Sequence, residues 1–193
     1  MPPKHTEVTD KLLEIIQKAE KNIKIIQPYV QNVEEIESAL VEAIEKRGVE
    51  VEIITARNRD QPIYKSFLNS DLFSELLKKG VKVYEEPYKF LHMKAVNVDN
   101  GRFLTIGSLN QDHCSFYQNN EANVLLTNQK GIKTEEYKQF EQIYNNLRNE
   151  CRMVDPSETY GWSSYIENRF WRVSLFAIRW FCLNREIRKS KKL

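Results

Sequence analysis

The sequence predicts an α/β protein in which helices flank a mixed β-sheet. Segments with helical periodicity alternate with β-type segments over the first 90 residues, and an Asn-Gly turn at residues 100–101 joins two further β-type segments into a hairpin. The 193 residues, 41% of them hydrophobic, are sufficient for one ordinary core. We therefore expect one folded domain over residues 1–150, followed by a tail of different composition over residues 151–193.

The first elements form a predicted βαβ unit. Apolar residues at helical spacing over residues 12–16 predict an opening helix that Thr9 or Asp10 would cap. The segment NIKIIQPYV, from residue 22, is typical of a strand, and VEVEIIT, from residue 49, alternates as a second strand. Between them, one helical face ends at Gly48 and carries Val33, Ile36, Leu40, Val41 and Ile44. Strands joined by a helix are expected to pair in parallel.

The second half of the domain is expected to add antiparallel strands to this unit. A loop around residues 58–62 precedes a predicted helix near residues 70–79. The remaining predicted elements are a strand VKVYEE, a strand beginning near residue 92, the turn, a strand RFLTIG, a strand EANVLLT and a helix over about residues 133–149.

The cysteines argue against a disulfide-stabilised domain and against a zinc-stabilised domain. Cys114, Cys151 and Cys182 are odd in number and have no CxxC spacing, so neither a disulfide framework nor a zinc site is indicated. A reducing compartment is therefore expected. The N-terminal segment MPPKHTEVTDK lacks the apolar stretch of a signal peptide.

The hairpin collects residues that suit phosphate chemistry. His92 and Lys94 are two residues apart, so in an extended strand their side chains point to the same side. Asp99 is seven residues beyond His92 and lies at the turn, so we do not expect it to point into the same site.

Small and polar residues end the second strand of the hairpin. Gly107 and Ser108 would let a substrate approach closely, and Asn110 adds an amide. An imidazole, an ammonium, a hydroxyl and an amide together suit a tetrahedral phosphate, with one nucleophile or acid and several donors to the oxygens.

The spacing His-x-Lys-x4-Asp, followed by Gly-Ser-x-Asn, resembles the signature motif of the phospholipase D superfamily. The stretch FLHMKAVNVD…TIGSLNQDHCSFYQNNEANVLL is similar to the second motif region of cardiolipin synthases, and the likeness extends upstream to cover about residues 10–127. One departure is that seven residues separate Asp99 from Gly107 where the usual pattern has six. A one-residue change at the Asn-Gly turn would absorb it.

The resemblance implies a phospholipase D-like fold and a two-step transfer through a phosphohistidine, without a metal or cofactor. His92 would be one of two histidines, of which one attacks phosphorus and the other, from a second motif, transfers protons. Lys94 and Asn110 would hold the nonbridging oxygens, with Ser108 assisting. Glu121 would accept a hydrogen bond from the other imidazole nitrogen. Asp99 completes the motif's catalytic set, although its expected role is to brace the fold or the junction between motifs.

The chain contains only one His-x-Lys, whereas the implied chemistry needs two motifs. Two copies could form a homodimer, or an N-terminal half could carry the other motif. The implied function is transfer of a phosphatidyl group between phosphatidylglycerol molecules, as in a cardiolipin synthase. The alternative is a phosphodiesterase, endonuclease or phospholipase D acting as a homodimer. His113 lies outside the matching positions and is a weaker candidate for substrate contact.

Charge divides the chain and favours a lipid substrate. Residues 169–193 carry about +7 and the rest about −5, so the predicted catalytic body lacks the basic surface expected around nucleic acid. The tail's apolar core, from Trp171 to Leu183, has thirteen residues including two arginines, whereas a membrane span needs about 20. We expect an amphipathic helix at an anionic membrane surface, or one packed on the domain or a dimer mate. The expected location is a bacterial cytoplasmic or mitochondrial inner membrane.

Overall fold

A computed structural model describes residues 6–31, 33–56, 76–128 and 134–155 of the chain. Within these residues, seven strands form one mixed sheet. The strands are β1 (Asn22–Gln27), β2 (Glu50–Ala56), β3 (Lys82–Glu86), β4 (Ala95–Val98), β5 (Phe103–Gly107), β6 (Asn123–Thr127) and β7 (Arg152–Met153). Their spatial order is β6-β5-β4-β1-β2-β3-β7.

The described helices are α1 (Glu7–Gln17), α2 (Glu34–Arg47), α3 (His113–Tyr117) and α4 (Glu135–Glu150). Helix α1 begins earlier than predicted because Thr6 caps it: the Thr6 side chain accepts a hydrogen bond from the Thr9 amide. Thr9 itself is buried and donates its hydroxyl hydrogen to the Thr6 carbonyl. Helix α2 ends as predicted at Gly48, which adopts a left-handed conformation with φ of 68°.

The pairing of the strands confirms the predicted βαβ unit and the antiparallel additions. Strands β1, β2 and β3 are parallel neighbours, and β4, β5 and β6 follow β1 with antiparallel pairing. Strand β7, which the sequence pattern does not predict, pairs antiparallel with β3. The α/β prediction is therefore confirmed for the described residues.

Alternating residues of the central strands pack on opposite faces of the sheet. Ile23 and Ile25 of β1 join helices α1 and α2 in one buried cluster. Ile26, the next residue after Ile25, points to the opposite face and packs in a second cluster with Phe140 and Tyr144 of α4. This period of two is what places helices on both sides of the sheet.

The turn between β4 and β5 absorbs the additional residue of the hairpin. The antiparallel ladder is continuous from the pair Val98–Phe103 to the pair Ala95–Ile106, so the additional residue lies within residues 99–102. Asp99, Asn100 and Gly101 all have positive φ, of 54°, 56° and 92°. Gly101 is also required by packing, since a Cβ there would lie 2.6 Å from ring atoms of Tyr137.

Several predicted segments lie outside the described residues. These are the loop at residues 58–62, most of the helix near residues 70–79, of which residues 76–78 are helical, and the tail from residue 156 with its predicted amphipathic helix. Across the part of the chain that the structure describes, the helices are too short or too polar to cross a bilayer.

Candidate active site

The predicted site lies at the edge of the sheet where β1 and β5 end, at Gln27 and Gly107, and where β4 and β6 begin. Lys94 immediately precedes β4, and its carbonyl accepts a hydrogen bond from the Gly107 amide at 3.2 Å. Residues near these ends are therefore brought together from distant parts of the chain.

His92 and Lys94 are in contact at this edge. The Lys94 Nζ atom lies 2.8 Å from His92 Nε2 and donates to the His92 carbonyl at 3.0 Å. The strand predicted to contain both residues begins only at Ala95, so this part of the prediction is wrong. The two side chains nevertheless meet, because an extended segment before a strand also places residues two apart on the same side.

The two side chains differ in their exposure to solvent. His92 is exposed, whereas Lys94 retains 7% of its accessible surface. Burial lowers the pKa of Lys94 from its ordinary value of 10.5, and the carboxylates of Glu121 and Asp112 oppose this shift. The lysine is therefore a nearly buried donor placed against an accessible imidazole.

Two aromatic rings surround the His92 imidazole. Phe90 stacks on it with ring centroids 5.4 Å apart and an interplanar angle of 16°, and Tyr29 contacts it edge-on with centroids 6.4 Å apart. Sequence reasoning missed both residues. Phe90 carried a usable signal, since it is two residues before His92 and extended parity places it on the same side. Tyr29, from the segment after β1, gave no such signal.

Ser108 is bonded to the segment that precedes β6. Its hydroxyl donates to the Glu121 carboxylate and accepts from the Ala122 amide at 3.0 Å. Its own amide donates to the Ala122 carbonyl at 3.1 Å. The hydroxyl hydrogen of Ser108 is directed at Glu121. To assist at a phosphate, as predicted, Ser108 must give up this hydrogen bond and donate to a phosphate oxygen instead.

Asn110 has one amide group available within the site. Its Nδ2 atom lies 3.5 Å from the Ser115 hydroxyl, a marginal hydrogen bond, and its buried Oδ1 has no partner among the described residues. The unpaired Oδ1 is an acceptor, so a water or another donor, and not a phosphate oxygen, would have to satisfy it. The weakly bonded Nδ2 is the atom that would donate to a phosphate, and the phosphate-binding role of Asn110 stays a prediction.

Glu121 does not form the predicted hydrogen bond with His92. Its carboxylate accepts instead from the Ser108 hydroxyl and, at 3.4 Å, from the Asn119 side chain. The charge of Glu121 still acts on the site, because it favours the protonated form of Lys94. Glu121 therefore holds Ser108 and stabilises the charge of Lys94, whereas the sequence predicted that it would orient the His92 imidazole.

Asp112 is a second carboxylate close to Lys94. It acts locally, because it caps α3 by accepting a hydrogen bond from the Ser115 amide at 2.7 Å. It retains only 4% of its accessible surface, and this burial raises its pKa. The cap fixes α3, whose Ser115 in turn contacts Asn110.

Asp99 is the motif residue that the structure does not bring to the histidine. It lies beyond the other end of β4, about 16 Å from Lys94 along an extended chain. Its carboxylate accepts hydrogen bonds from the amides of Glu20, Lys21 and Asn22, at distances from 2.7 to 3.3 Å. The position of Asp99 does not support its inclusion among the catalytic residues. It supports the predicted bracing role, because the carboxylate holds the segment that leads into β1.

Replacing Asp99 with Ala should destabilise the domain by about 2–4 kcal/mol, because three backbone donors would lose a charged acceptor. Chemical denaturation followed by circular dichroism would measure the loss. Turnover per folded molecule should be nearly unchanged, since the carboxylate is remote from His92. A stable variant with abolished turnover would instead return Asp99 to the catalytic set.

Gly107 has a different role from the one predicted. We expected it to leave room for a substrate, but a Cβ at this position would lie 2.2 Å from Asn123 Oδ1 and 2.3 Å from the Ala122 carbonyl. The glycine is therefore required for the close approach of β6 and of the Asn123 side chain. The sequence could not reveal this, because it depends on which strand pairs with β5.

A family model described as "Cardiolipin synthase, PLD-like domain" matches residues 12–148. The cardiolipin synthase of Halalkalibacterium halodurans is 34% identical over 173 residues, which cover 80% of this chain and 34% of that protein. The probable cardiolipin synthase YwiE of Bacillus subtilis is 34% identical over 133 residues, covering 69% and 26%. The chain thus spans about a third or less of the length of these curated relatives.

Solved structures with a similar fold include two with low sequence identity. The phosphatidylserine synthase of Haemophilus influenzae Rd KW20 gives a TM-score of 0.72 at 17% identity, over 90% of this chain and 44% of that chain. Nuc of Salmonella typhimurium, a phospholipase D family member, gives a TM-score of 0.61 at 22% identity, over 75% and 89%. At such identities the likeness shows the fold alone.

Proposed function

Because the chain belongs to the family of phospholipase D-like domains of cardiolipin synthases, we propose that it supplies one half of the active site of a phosphatidyltransferase. The donor and the acceptor would both be phosphatidylglycerol. The observation that carries the proposal is the 2.8 Å contact between Nζ of the buried Lys94 and Nε2 of His92, a residue exposed to solvent. The contact places a nucleophile, His92, beside a cation, Lys94, that can bind the phosphate, and solvent reaches the site at His92.

His92 is the proposed nucleophile. A protonated Lys94 can only donate to Nε2, so the Nε2 lone pair is the acceptor and the imidazole proton resides on Nδ1. This is the tautomer that can attack phosphorus through Nε2. The ring is held between Phe90 and Tyr29, which limits its rotation away from the substrate.

Lys94 and Asn110 are the proposed phosphate-binding groups. When a phosphodiester approaches Nε2, the Lys94 ammonium can transfer its hydrogen bond from the imidazole to a nonbridging oxygen. The near-complete burial of Lys94 strengthens this interaction, because little water competes for the ammonium. Asn110 would donate from its amide, and Ser108 would contribute when its hydroxyl leaves Glu121.

The proposed reaction has two displacements at phosphorus. In the first, Nε2 of His92 forms a bond to phosphorus while the bond to the glycerol oxygen breaks, and a second histidine gives that oxygen a proton. In the second, a hydroxyl of another phosphatidylglycerol loses its proton to the second histidine and attacks phosphorus, and the phosphorus–nitrogen bond breaks. The products are glycerol and cardiolipin, and His92 is restored.

The second histidine must come from outside the single motif of this chain. We propose either a second copy of the chain or an N-terminal half with the other motif. The share of the curated relatives that the chain spans, about a third or less, favours the N-terminal half.

A lipid substrate is supported by exposed aromatic residues beside the nucleophile. Tyr88 and Phe90 have 85% and 56% of their surfaces exposed, in the segment that leads to His92. Aromatic side chains are well suited to the interface between head groups and acyl chains. With the basic, aromatic composition of residues 151–193, this favours association with an anionic membrane, and the bacterial relatives favour the bacterial cytoplasmic membrane over the mitochondrial inner membrane.

The purified chain, alone and with an N-terminal half carrying the other motif, should be incubated with phosphatidylglycerol vesicles, phosphatidylcholine vesicles and single-stranded DNA. The expected result is sedimentation with the anionic vesicles and formation of cardiolipin and glycerol by at least one of the two preparations. Cleavage of DNA without any lipid product would support the nuclease alternative. Failure to convert phosphatidylglycerol in both preparations would contradict the proposed transferase.

A further inference from the structure

The peptide groups on the two sides of Leu109 are held by two side-chain amides from different strands. The Leu109 amide donates to Asn123 Oδ1 at 3.2 Å, and the Leu109 carbonyl accepts from Gln27 Nε2 at 3.2 Å. We propose that Gln27 and Asn123 are positioning residues, which fix the segment Ser108–Asn110 so that both its polar side chains face the phosphate. The inference deepens the proposed function and rests on it.

Asn123 is oriented by a hydrogen bond at each end of its amide group. Its Oδ1 accepts from Leu109, while its Nδ2 donates to the Thr105 hydroxyl at 3.1 Å. The absence of a Cβ at Gly107 provides the space for this side chain to cross from β6 to the segment that follows β5. The hydrogen bonds from Gln27 and Asn123 to the peptide groups of Leu109 are called the clamp below. The glycine of the Gly-Ser-x-Asn motif leaves the space that the Asn123 part of the clamp needs.

Gln27 provides the other half of the clamp from the end of β1. It retains 3% of its accessible surface, and its Oε1 has no partner among the described residues. Burying an amide with one unpaired atom costs stability, so an apolar side chain would serve a purely structural role better. We therefore assign Gln27 the role of holding the Leu109 carbonyl through the hydrogen bond from its Nε2 atom.

The clamp acts on the residues that flank Leu109. The Leu109 side chain is itself buried, with 1% of its surface accessible, so the peptide groups on both sides are the parts that can still rotate. Rotation of the first would move Ser108 with its contact to Glu121, and rotation of the second would move Asn110. Displacement of such groups by about 1 Å can lower turnover about a hundredfold.

Three substitutions separate the clamp from general packing. Gln27→Glu keeps the side-chain volume but replaces the donor with a carboxylate that repels the Leu109 carbonyl. Asn123→Leu removes the acceptor for the Leu109 amide, whereas Asn123→Asp keeps an acceptor there. The same amide-to-acid change should therefore be damaging at residue 27 and tolerated at residue 123. Gln142→Glu and Asn145→Asp, both on the exposed surface of α4, are matched controls.

The full chain should be tested for binding of inorganic phosphate by NMR titration and, in the assembly used with vesicles, for turnover of bis(4-nitrophenyl) phosphate. We expect Gln27→Glu and Asn123→Leu to lower both by about tenfold or more, and Asn123→Asp to retain the larger part of both. The ratio of Gln27→Glu to wild-type turnover should rise as pH falls, because the introduced carboxyl then protonates and regains a donor for the Leu109 carbonyl.

Circular dichroism and amide exchange at Leu109 should accompany these measurements. If Gln27→Glu does not fold, the contrast between Asn123→Leu and Asn123→Asp decides the question. Folded Gln27→Glu and Asn123→Leu proteins with phosphate affinity and turnover within about twofold of the wild type would overturn this inference alone. A wild-type chain that neither binds phosphate nor reacts would overturn the proposed function and this inference with it, even if the exchange data confirm the clamp.

Discussion

Turnover of phosphatidylglycerol should fall at least about a thousandfold in His92→Ala, because the substitution removes the atom that bonds to phosphorus. The domain should fold normally, since His92 is exposed and belongs to neither of the two buried clusters. Product formation from radiolabelled phosphatidylglycerol, with circular dichroism as the test of folding, would measure both effects.

His113→Ala is the matched control for this substitution. His113 begins α3 and stacks on Tyr117 with ring centroids 5.6 Å apart, outside the His92–Lys94 pair. Its replacement should leave most of the turnover. If His92→Ala keeps more than about a tenth of wild-type turnover while His113→Ala does not, the nucleophile has been assigned to the wrong histidine.

Lys94→Met should lower turnover about a hundredfold or more without lowering the free energy of unfolding at pH 7. The activity falls because the charge that stabilises the nonbridging oxygens is lost. The stability should hold or rise because methionine fills a similar volume and removes an ammonium from a site with 7% exposure. Urea denaturation and steady-state kinetics on the same preparation would measure the two effects.

The stability difference should depend on pH with a defined sign. Burial lowers the pKa of Lys94 in the folded protein below its ordinary value of 10.5, so the unfolded chain binds the proton more tightly. The cost of burying the charge is therefore fully present below the folded pKa and disappears as pH rises toward 10.5. The advantage of Lys94→Met should shrink over the same range. A Lys94→Met protein that is less stable at pH 7 would contradict this description of the lysine.

The pairing of His92 with Lys94 could be predicted from the sequence because it depends only on their spacing in an extended chain. It held even though the strand begins three residues later than His92. The turn residues Asn100 and Gly101 likewise carry their conformational preferences locally, so the hairpin and its ladder could be predicted.

The errors concern contacts between segments that the sequence does not relate. Glu121 bonds to Ser108 instead of His92, and the space at Gly107 is filled by Asn123, because β6 lies beside β5. The clamp on Leu109 needs β1 and β6 on opposite sides of the β4–β5 hairpin, which only the strand order reveals. Helix α3 and strand β7 are too short, at five and two residues, to produce a periodic pattern.

His92 should become covalently bonded to phosphorus during the reaction. The most direct test is to quench the reaction of the chain with phosphatidylglycerol during turnover, digest the protein and identify the modified residue by mass spectrometry. The expected result is a phosphorus adduct on the imidazole of His92 that forms before cardiolipin, is discharged by added acceptor lipid and is absent from His92→Ala. Cardiolipin formed while any adduct lies on a different residue, or at an undiminished rate by His92→Ala, would contradict it.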